Sequence, residues 1–226
     1  MISAEGSGAL RGRRAEHASE LGAAVRVERT RAVHTQAFYG GQDILHGGSR
    51  CSAGFITRSG SGRNYVLTAG HCANLGGTWT TSSGQTIGPV AASSFPGNDY
   101  GAIRISNPAA LDPRGGVLDD GAFRDITGAG RVTVGAQACK TGSTTGTTCG
   151  TVQAYNVTVR YAEGTVFGLT RTNICTQPGD SGGAMFAGSL AQGITSGGTI
   201  GGCSPSFQSF FQPADEALST YGLSLL

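Results

Sequence analysis

From Phe38 onward the chain alternates short apolar stretches with turns rich in Gly, Ser, Thr and Asn. Apolar residues at every second position put one face of a strand inward and the other outward. Ile103 and Ile105 flank Arg104 in this way, and Val132, Val134 and Ala136 repeat the pattern, as do Val157, Val159 and Tyr161. Each reads as a half-buried strand. Arg63-Asn64-Tyr65-Val66-Leu67 reads as another, entered from the turn Ser59-Gly60-Ser61-Gly62. The end of the chain differs. Pro213-Ala214-Asp215-Glu216-Ala217-Leu218 opens with proline and puts acids in a first turn, and Gly222 follows. Those are helix start and stop signals. The first 37 residues differ again: Glu5 to Glu20 are small or charged without apolar period, which predicts disorder or weak helix, and Ala23-Ala24-Val25-Arg26-Val27 predicts one short strand. The pattern as a whole predicts an all-β body closed by one C-terminal helix.

The 226 residues suit a single β domain, since sandwiches and barrels commonly use 200–250. The 39 glycines and seven prolines fit a turn-rich fold, and the lack of a G-X-Y period excludes collagen. Charge is sparse, with 15 Arg, one Lys and a net +2. Residues 1–37 hold six Arg and four Glu, whereas 38–226 hold ten basic and ten acidic residues. A neutral body offers no basic stripe, so nucleic acid is not the expected partner. No apolar run reaches 18 residues, so no membrane span is expected. Nor does a charged start lead into an apolar run, so no signal peptide is visible. The six cysteines, at 51, 72, 139, 149, 175 and 203, allow 15 full pairings. Without a C-x-x-C pair a zinc site is disfavoured. Disulfides in an oxidising, extracellular setting are preferred over buried free thiols.

Three stretches carry chemistry. Leu67-Thr68-Ala69-Gly70-His71-Cys72 runs an apolar strand into a histidine, Asn98-Asp99-Tyr100-Gly101-Ala102-Ile103 sets an aspartate before a strand, and Pro178-Gly179-Asp180-Ser181-Gly182-Gly183 sets a serine among glycines. A lone histidine is usually a packing or surface residue, a lone aspartate a cap, and a Gly-rich serine a turn. Together they supply what acyl transfer needs: a nucleophile, a base, a carboxylate to orient the base, and glycines that let backbone N–H groups converge on an oxyanion. The order His, Asp, Ser is that of one known triad arrangement, and the alternative order Ser, Asp, His of another fold is absent. His17 and His34, in the charged segment, and His46, in a Gly-rich turn, are expected to be solvated.

Thr68-Ala69-Gly70-His71-Cys72 and Gly179-Asp180-Ser181-Gly182-Gly183 resemble the signatures of chymotrypsin-like serine proteases. Phe95-Pro96-Gly97-Asn98-Asp99-Tyr100-Gly101, Thr144-Thr145-Gly146, Thr195-Ser196-Gly197-Gly198 and the Phe211-Gln212-Pro213 ending narrow the resemblance to the secreted bacterial branch of streptogrisins and α-lytic protease. It covers residues 38–226. It implies two six-stranded antiparallel β-barrels with a cleft between them, a monomer that cuts protein or peptide substrates outside the cell, and no cofactor or metal. His71 becomes the base, Asp99 its orienting group and Ser181 the nucleophile, with the N–H groups of Gly179 and Ser181 as oxyanion hole. Ser196 touches Asp99, while Ser196, Gly197 and Gly198 pair with substrate backbone beside Thr195 and Pro178. The resemblance pairs Cys51 with Cys72, Cys139 with Cys149, and Cys175 with Cys203. It makes residues 1–37 the tail of a pro-segment and puts Lys140 where an internal base pairs with Asp180.

The expected pocket walls, 172–178 and 195–211, carry no charge. A P1 Arg or Lys would need a buried counter-charge there. Glutamate-specific relatives place a histidine where this chain has Thr195. Large hydrophobic P1 residues are therefore expected. One departure bears on this: Cys203-Ser204-Pro205-Ser206-Phe207-Gln208-Ser209 stands where the streptogrisins run through glycines, so Phe207 either trims the pocket or caps its outside.

Overall fold

The computed structural model describes residues 37–199 and 202–226. The expectations for residues 1–36, including the strand at 23–27, His17 and His34, lie outside the described residues. The chain enters on β1 (Phe38–Gly40), which pairs in parallel with β9 (Pro113–Asp119), itself in a hairpin with β10 (Ala122–Asp125).

Between them run β2 (Asp43–His46), β3 (Ser49–Ser52), β4 (Ile56–Ser59), β5 (Asn64–Thr68), β6 (Thr78–Thr80), β7 (Thr86–Ser94) and β8 (Tyr100–Arg104). Their order is β4-β5-β8-β7-β6-β2-β3, with the last strand of the chain, β18 (Leu223–Leu225), added beyond β4. β3 leads directly into β4 through a bend at 53–55. There Gly54 N–H donates to the Leu67 carbonyl (2.7 Å) and Leu67 N–H to that of Phe55 (2.8 Å). β3 and β4 thus act as one bent strand that closes a six-stranded barrel.

The second half holds β11 (Gly128–Ala129), β12 (Gln137–Gly142), β13 (Gly146–Tyr161), β14 (Gly164–Thr172), β15 (Ala184–Ala187), β16 (Leu190–Gly198) and β17 (Ser209–Pro213). The order β16-β15-β12-β13-β14-β17, with β16 also bonded to β17, is a closed ring of six. β11 adds in parallel at the rim. Closure leaves no long free edge in either half.

Period-two burial is visible on β8, where Ile103 is inside and Arg104 outside. Trp79, Phe55, Ile44, Ile56, Leu67 and Ile87 fill the first barrel, and this apolar cluster continues through Ala184, Phe186 and Ile194 of the second. Each large side chain so buried contributes about 1.5–3 kcal/mol. The C-terminal helix spans Ala214–Tyr221, buries Ala214, Ala217 and Leu218, and ends where Gly222 N–H reaches the Leu218 and Ser219 carbonyls.

One predicted strand is absent. Val132, Val134 and Ala136 alternate, but Gly135 sits at φ +91° and its N–H bonds to the Val152 carbonyl. A left-handed residue turns the chain there, and Val134 is exposed. His46 is half-buried rather than solvated. It ends β2 against Trp79, with Nδ1 2.9 Å from the Thr78 carbonyl.

The bridges formed are Cys51–Cys72, Cys139–Cys149 and Cys175–Cys203, spanning 21, 10 and 28 residues. Replacing Cys51 and Cys72 together by Ser should lower unfolding stability by about 3 kcal/mol under the loop-entropy treatment. Denaturant titration checks this. An unchanged midpoint would show that the native contacts alone hold β3 to His71.

Candidate active site

A single helical turn, Gly70–Ala73, follows β5 and carries His71. Its ring Nδ1 lies 2.9 Å from Asp99 Oδ2 and 3.1 Å from Oδ1, and its backbone N–H donates to Oδ1 at 2.9 Å. Two contacts from one residue fix both the imidazole and the turn beneath it. Asp99 is wholly buried between β7 and β8, while the His71 side chain is 29% exposed. Ser196 Oγ donates to Asp99 Oδ2 (2.6 Å), and Asp99 N–H donates to Gln212 Oε1 (2.9 Å). Since the only hydroxyl hydrogen of Ser196 goes to Asp99, Tyr161 OH is the donor in its 3.0 Å contact with Ser196 Oγ. Burial pushes the Tyr161 phenol up to about 12, so it keeps that proton at working pH. A carboxylate receiving Nδ1–H leaves Nε2 as the acceptor face of the ring.

Ser181 comes from the second barrel, and a short relay ties it to His71. Its carbonyl accepts from Ser52 N–H (2.7 Å), Ser52 follows Cys51, and Cys51 is bridged to Cys72 beside His71. The preceding turn is shaped by Gly179 at φ +100°, where a Cβ would lie 2.4 Å from Thr144 Oγ1. The Gly179 carbonyl is drawn inward by Ser52 Oγ (2.8 Å) and Ser143 Oγ (2.9 Å). Among the described residues the N–H groups of Gly179 and Ser181 have no partner, whereas those of Asp180, Gly182 and Gly183 are bonded to carbonyls. Two free amides beside one serine are what an oxyanion requires.

Asp180 points away from Ser181 into the interior. Its Oδ1 accepts from Thr144 N–H (2.9 Å) and Thr145 N–H (3.1 Å), its Oδ2 from Gln177 N–H (2.9 Å) and Thr145 Oγ1 (2.7 Å). Lys140 Nζ stands 3.5 Å from Oδ2 and donates to the Gly146 carbonyl (2.7 Å) and to Thr145 Oγ1. Both charges are fully buried. Burial lowers the Lys140 pKa against the pull of Asp180. For Asp180 burial acts upward, but the Thr145 hydroxyl, the Lys140 charge and the backbone amides outweigh it and hold the carboxyl below its ordinary value.

A cleft of about 330 Å³ beside Ser181 is lined by Thr176, Gln177 and Pro178 and by Thr195, Gly197, Gly198 and Thr199. None of these is charged. Beyond Ile194, β16 pairs with β17 only, so Ser196, Gly197 and Gly198 present an open edge on the other side. His71 also lies within 4.8 Å of the sulfurs of Cys51 and Cys72, but both sulfurs are committed to the disulfide and offer no thiolate to a metal.

The structure brings His71 and Ser196 together on Asp99 by direct bonds, sets Pro178, Ser181, Thr195, Gly197 and Gly198 around one cleft, and places Gly179 in the turn that leads to Ser181. Ser52, Ser143, Thr145, Tyr161 and Gln212 were not singled out in the sequence. Hydroxyls and amides of this kind carry no spacing signal; the Thr144-Thr145-Gly146 and Phe211-Gln212-Pro213 strings contained Thr145 and Gln212 without giving either a role, and Tyr161 entered only as a strand position.

Comparison with known proteins gives a consistent result. The Trypsin family profile matches residues 38–220. The chain is similar to Streptogrisin-A of Streptomyces griseus, 48% identical over 201 residues, which cover 88% of this chain and 65% of that protein. It is similar to Serine protease 2 of Streptomyces fradiae, 55% identical over 168 residues, 73% of this chain and 95% of that one. It thus spans about two thirds of the length of the first relative and nearly all of the second. Among solved structures, a glutamic acid-specific serine protease that uses a histidine triad in substrate binding superposes with TM-score 0.78 at 46% identity, covering 84% of this chain and 100% of that chain.

Proposed function

The chain belongs to the trypsin family, and from that premise we propose that it is a serine endopeptidase in which Ser181, His71 and Asp99 cleave peptide bonds through an acyl-enzyme. One observation carries the reading: two backbone amides stand open beside a single serine of the cleft, and the Ser52 hydrogen bond and the Cys51–Cys72 bridge tie that serine to an imidazole oriented by a buried carboxylate. Ser181 Oγ attacks the scissile carbonyl carbon while its proton passes to His71 Nε2. Asp99 stabilises the imidazolium without taking the proton. The carbonyl oxygen, now negative, receives the N–H groups of Gly179 and Ser181. Collapse expels the amine, which leaves with the proton from His71. Water then enters, loses a proton to His71 and releases the acid, restoring Ser181.

Substrate backbone adds as a strand along the open edge Ser196–Gly198, with main-chain hydrogen bonds supplying affinity. The uncharged cleft favours an apolar P1 side chain over Arg, Lys, Asp or Glu. Among the described residues no histidine lines it, which separates it from the glutamic acid-specific protease that uses a histidine triad in substrate binding. The enzyme works outside the cell as a monomer, residues 1–37 are the tail of a pro-segment, and 38–226 are the protease domain. Of the described helices none is long and apolar enough to cross a membrane.

A fluorophosphonate probe should label the wild-type chain once, on Ser181, and leave Ser181→Ala unlabelled. Mass spectrometry of the labelled peptide decides. Equal labelling of the two proteins, or none of the wild type, refutes the reading.

A further inference from the structure

Phe207 is 3% exposed, yet it belongs to neither of the two apolar clusters that fill the barrels. Its place is fixed by its neighbours. A methyl group built on Gly198 would meet Phe207 Cζ and Thr176 Oγ1, each at 2.8 Å. A Cβ points to one side of its strand only, and Thr176 is the opposite wall of the cleft beside Ser181. The tip of the phenyl ring therefore lies on the same side of Gly198 as Thr176. The segment that bears it is held from both ends. The Cys175–Cys203 bridge ties it to the residue before Thr176, and Thr199 N–H donates to the Gln208 carbonyl at 2.8 Å. The layer below is closed off: Ser209, paired with Gly198 and hydrogen-bonded to Thr172 Oγ1, is fully buried, as are Thr172 and Phe211. Neither these three nor Phe207 lines the open cleft; Phe207 stands behind two residues that do, Gly198 and Thr176.

Resting on the endopeptidase reading above, we infer that Phe207 is a specificity-determining residue that occupies the depth of the P1 pocket and restricts cleavage to small apolar P1 side chains, such as Ala and Val. This revises the size of P1 residue expected from the uncharged walls alone. Those walls would suit a large hydrophobic side chain, but behind Gly198, where the cleft would deepen, the protein has placed a side chain of its own. A P1 ring that reached past the cleft would have to displace a buried ring held by a disulfide-tied segment, whereas a methyl or isopropyl group stops short of it.

The test is kcat/KM for one tetrapeptide frame with P1 Ala, Val, Leu or Phe, using wild type, Phe207→Leu and Phe207→Ala, with active sites counted by fluorophosphonate titration. The wild type should prefer Ala or Val over Phe by tenfold or more, a size-based discrimination within the range of apolar pockets. Phe207→Ala should move the Phe-to-Ala ratio upward by at least tenfold, with Phe207→Leu between. A wild type that prefers Phe, or ratios that stay constant across proteins that titrate normally, overturns the role of Phe207. If Phe207→Ala fails to fold, the wild-type ratio and Phe207→Leu still decide. Absence of any titratable site in the wild type overturns the endopeptidase reading itself, and this inference with it.

Discussion

Ser181→Ala should lower kcat by about 10⁶-fold, the loss seen when the nucleophile of a Ser-His-Asp triad is removed elsewhere, while the protein stays folded. The Ser181 hydroxyl has no hydrogen bond among the described residues; only the backbone of Ser181 is structural, through its carbonyl to Ser52. Asp99→Asn should cost about 10⁴-fold, by a different route. The carboxamide presents an N–H where Nδ1 now finds an acceptor, which favours the wrong tautomer and blocks Nε2 as base. It also sets a donor against either the Ser196 hydroxyl or the His71 amide. Asp99→Asn should therefore lose rate and some stability together, and Ser181→Ala rate alone. Single-turnover kinetics beside thermal unfolding separate the two. Turnover within tenfold of wild type for Ser181→Ala would remove it as nucleophile.

The proposed triad was legible because its chemistry demands particular residue types in short strings, and strings survive in one dimension. His71 with Cys72, and Gly179 to Gly183, are local in sequence. The contacts that make them a site are not. Ser52 serves the Gly179 carbonyl across 127 residues, and Gln212 receives the Asp99 amide across 113. Strand periodicity found β5, β8 and β13 but failed at Val132 to Ala136, where a glycine free to take φ +91° ends the alternation. Barrel closure was invisible to periodicity in both halves. In one it depends on the bend at 53–55, in the other on the second partner of β16. Phe207 is the sharpest case, for its side of the strand follows from its three-dimensional approach to Gly198. No count of apolar residues could have supplied it.

Asp180→Asn should destabilise the fold more than Lys140→Met, with Lys140→Met costing about 3 kcal/mol and Asp180→Asn towards 5 kcal/mol, the range for breaking a buried pair. The asymmetry follows from what each change leaves behind. Without Lys140, Asp180 keeps three backbone N–H groups and the Thr145 hydroxyl. Without the Asp180 charge, the Lys140 ammonium keeps only neutral oxygens, from Gly146 and Thr145, in a fully buried site. Among the described residues no other carboxylate reaches it. Because Asp180 immediately precedes Ser181, the same variants should lose the geometry of the Gly179 and Ser181 amides and react slowly with the fluorophosphonate. The pH dependence has a definite sign. The Asp180 carboxyl is held below its ordinary value near 4, so it adds stability above that value and loses it as pH falls through the lower folded one. Lys140→Met removes one of the causes of that lowering, so its acid unfolding should begin at a higher pH than in wild type. Lys140 has the same sign in a higher range: burial lowers its pKa, so its own contribution grows as pH rises towards the ordinary lysine range. Removing residues 1–37 should change little by comparison. Asp180 finds every partner within the described body, and Phe38 N–H is already bonded to the Asp112 carbonyl at 3.0 Å. Urea titrations of the three variants at pH 7 and pH 4, read beside probe labelling rates, test the ranking. A silent Lys140→Met together with a truncated chain that cannot react would mean that the turn at 179–181 is organised from outside residues 38–226.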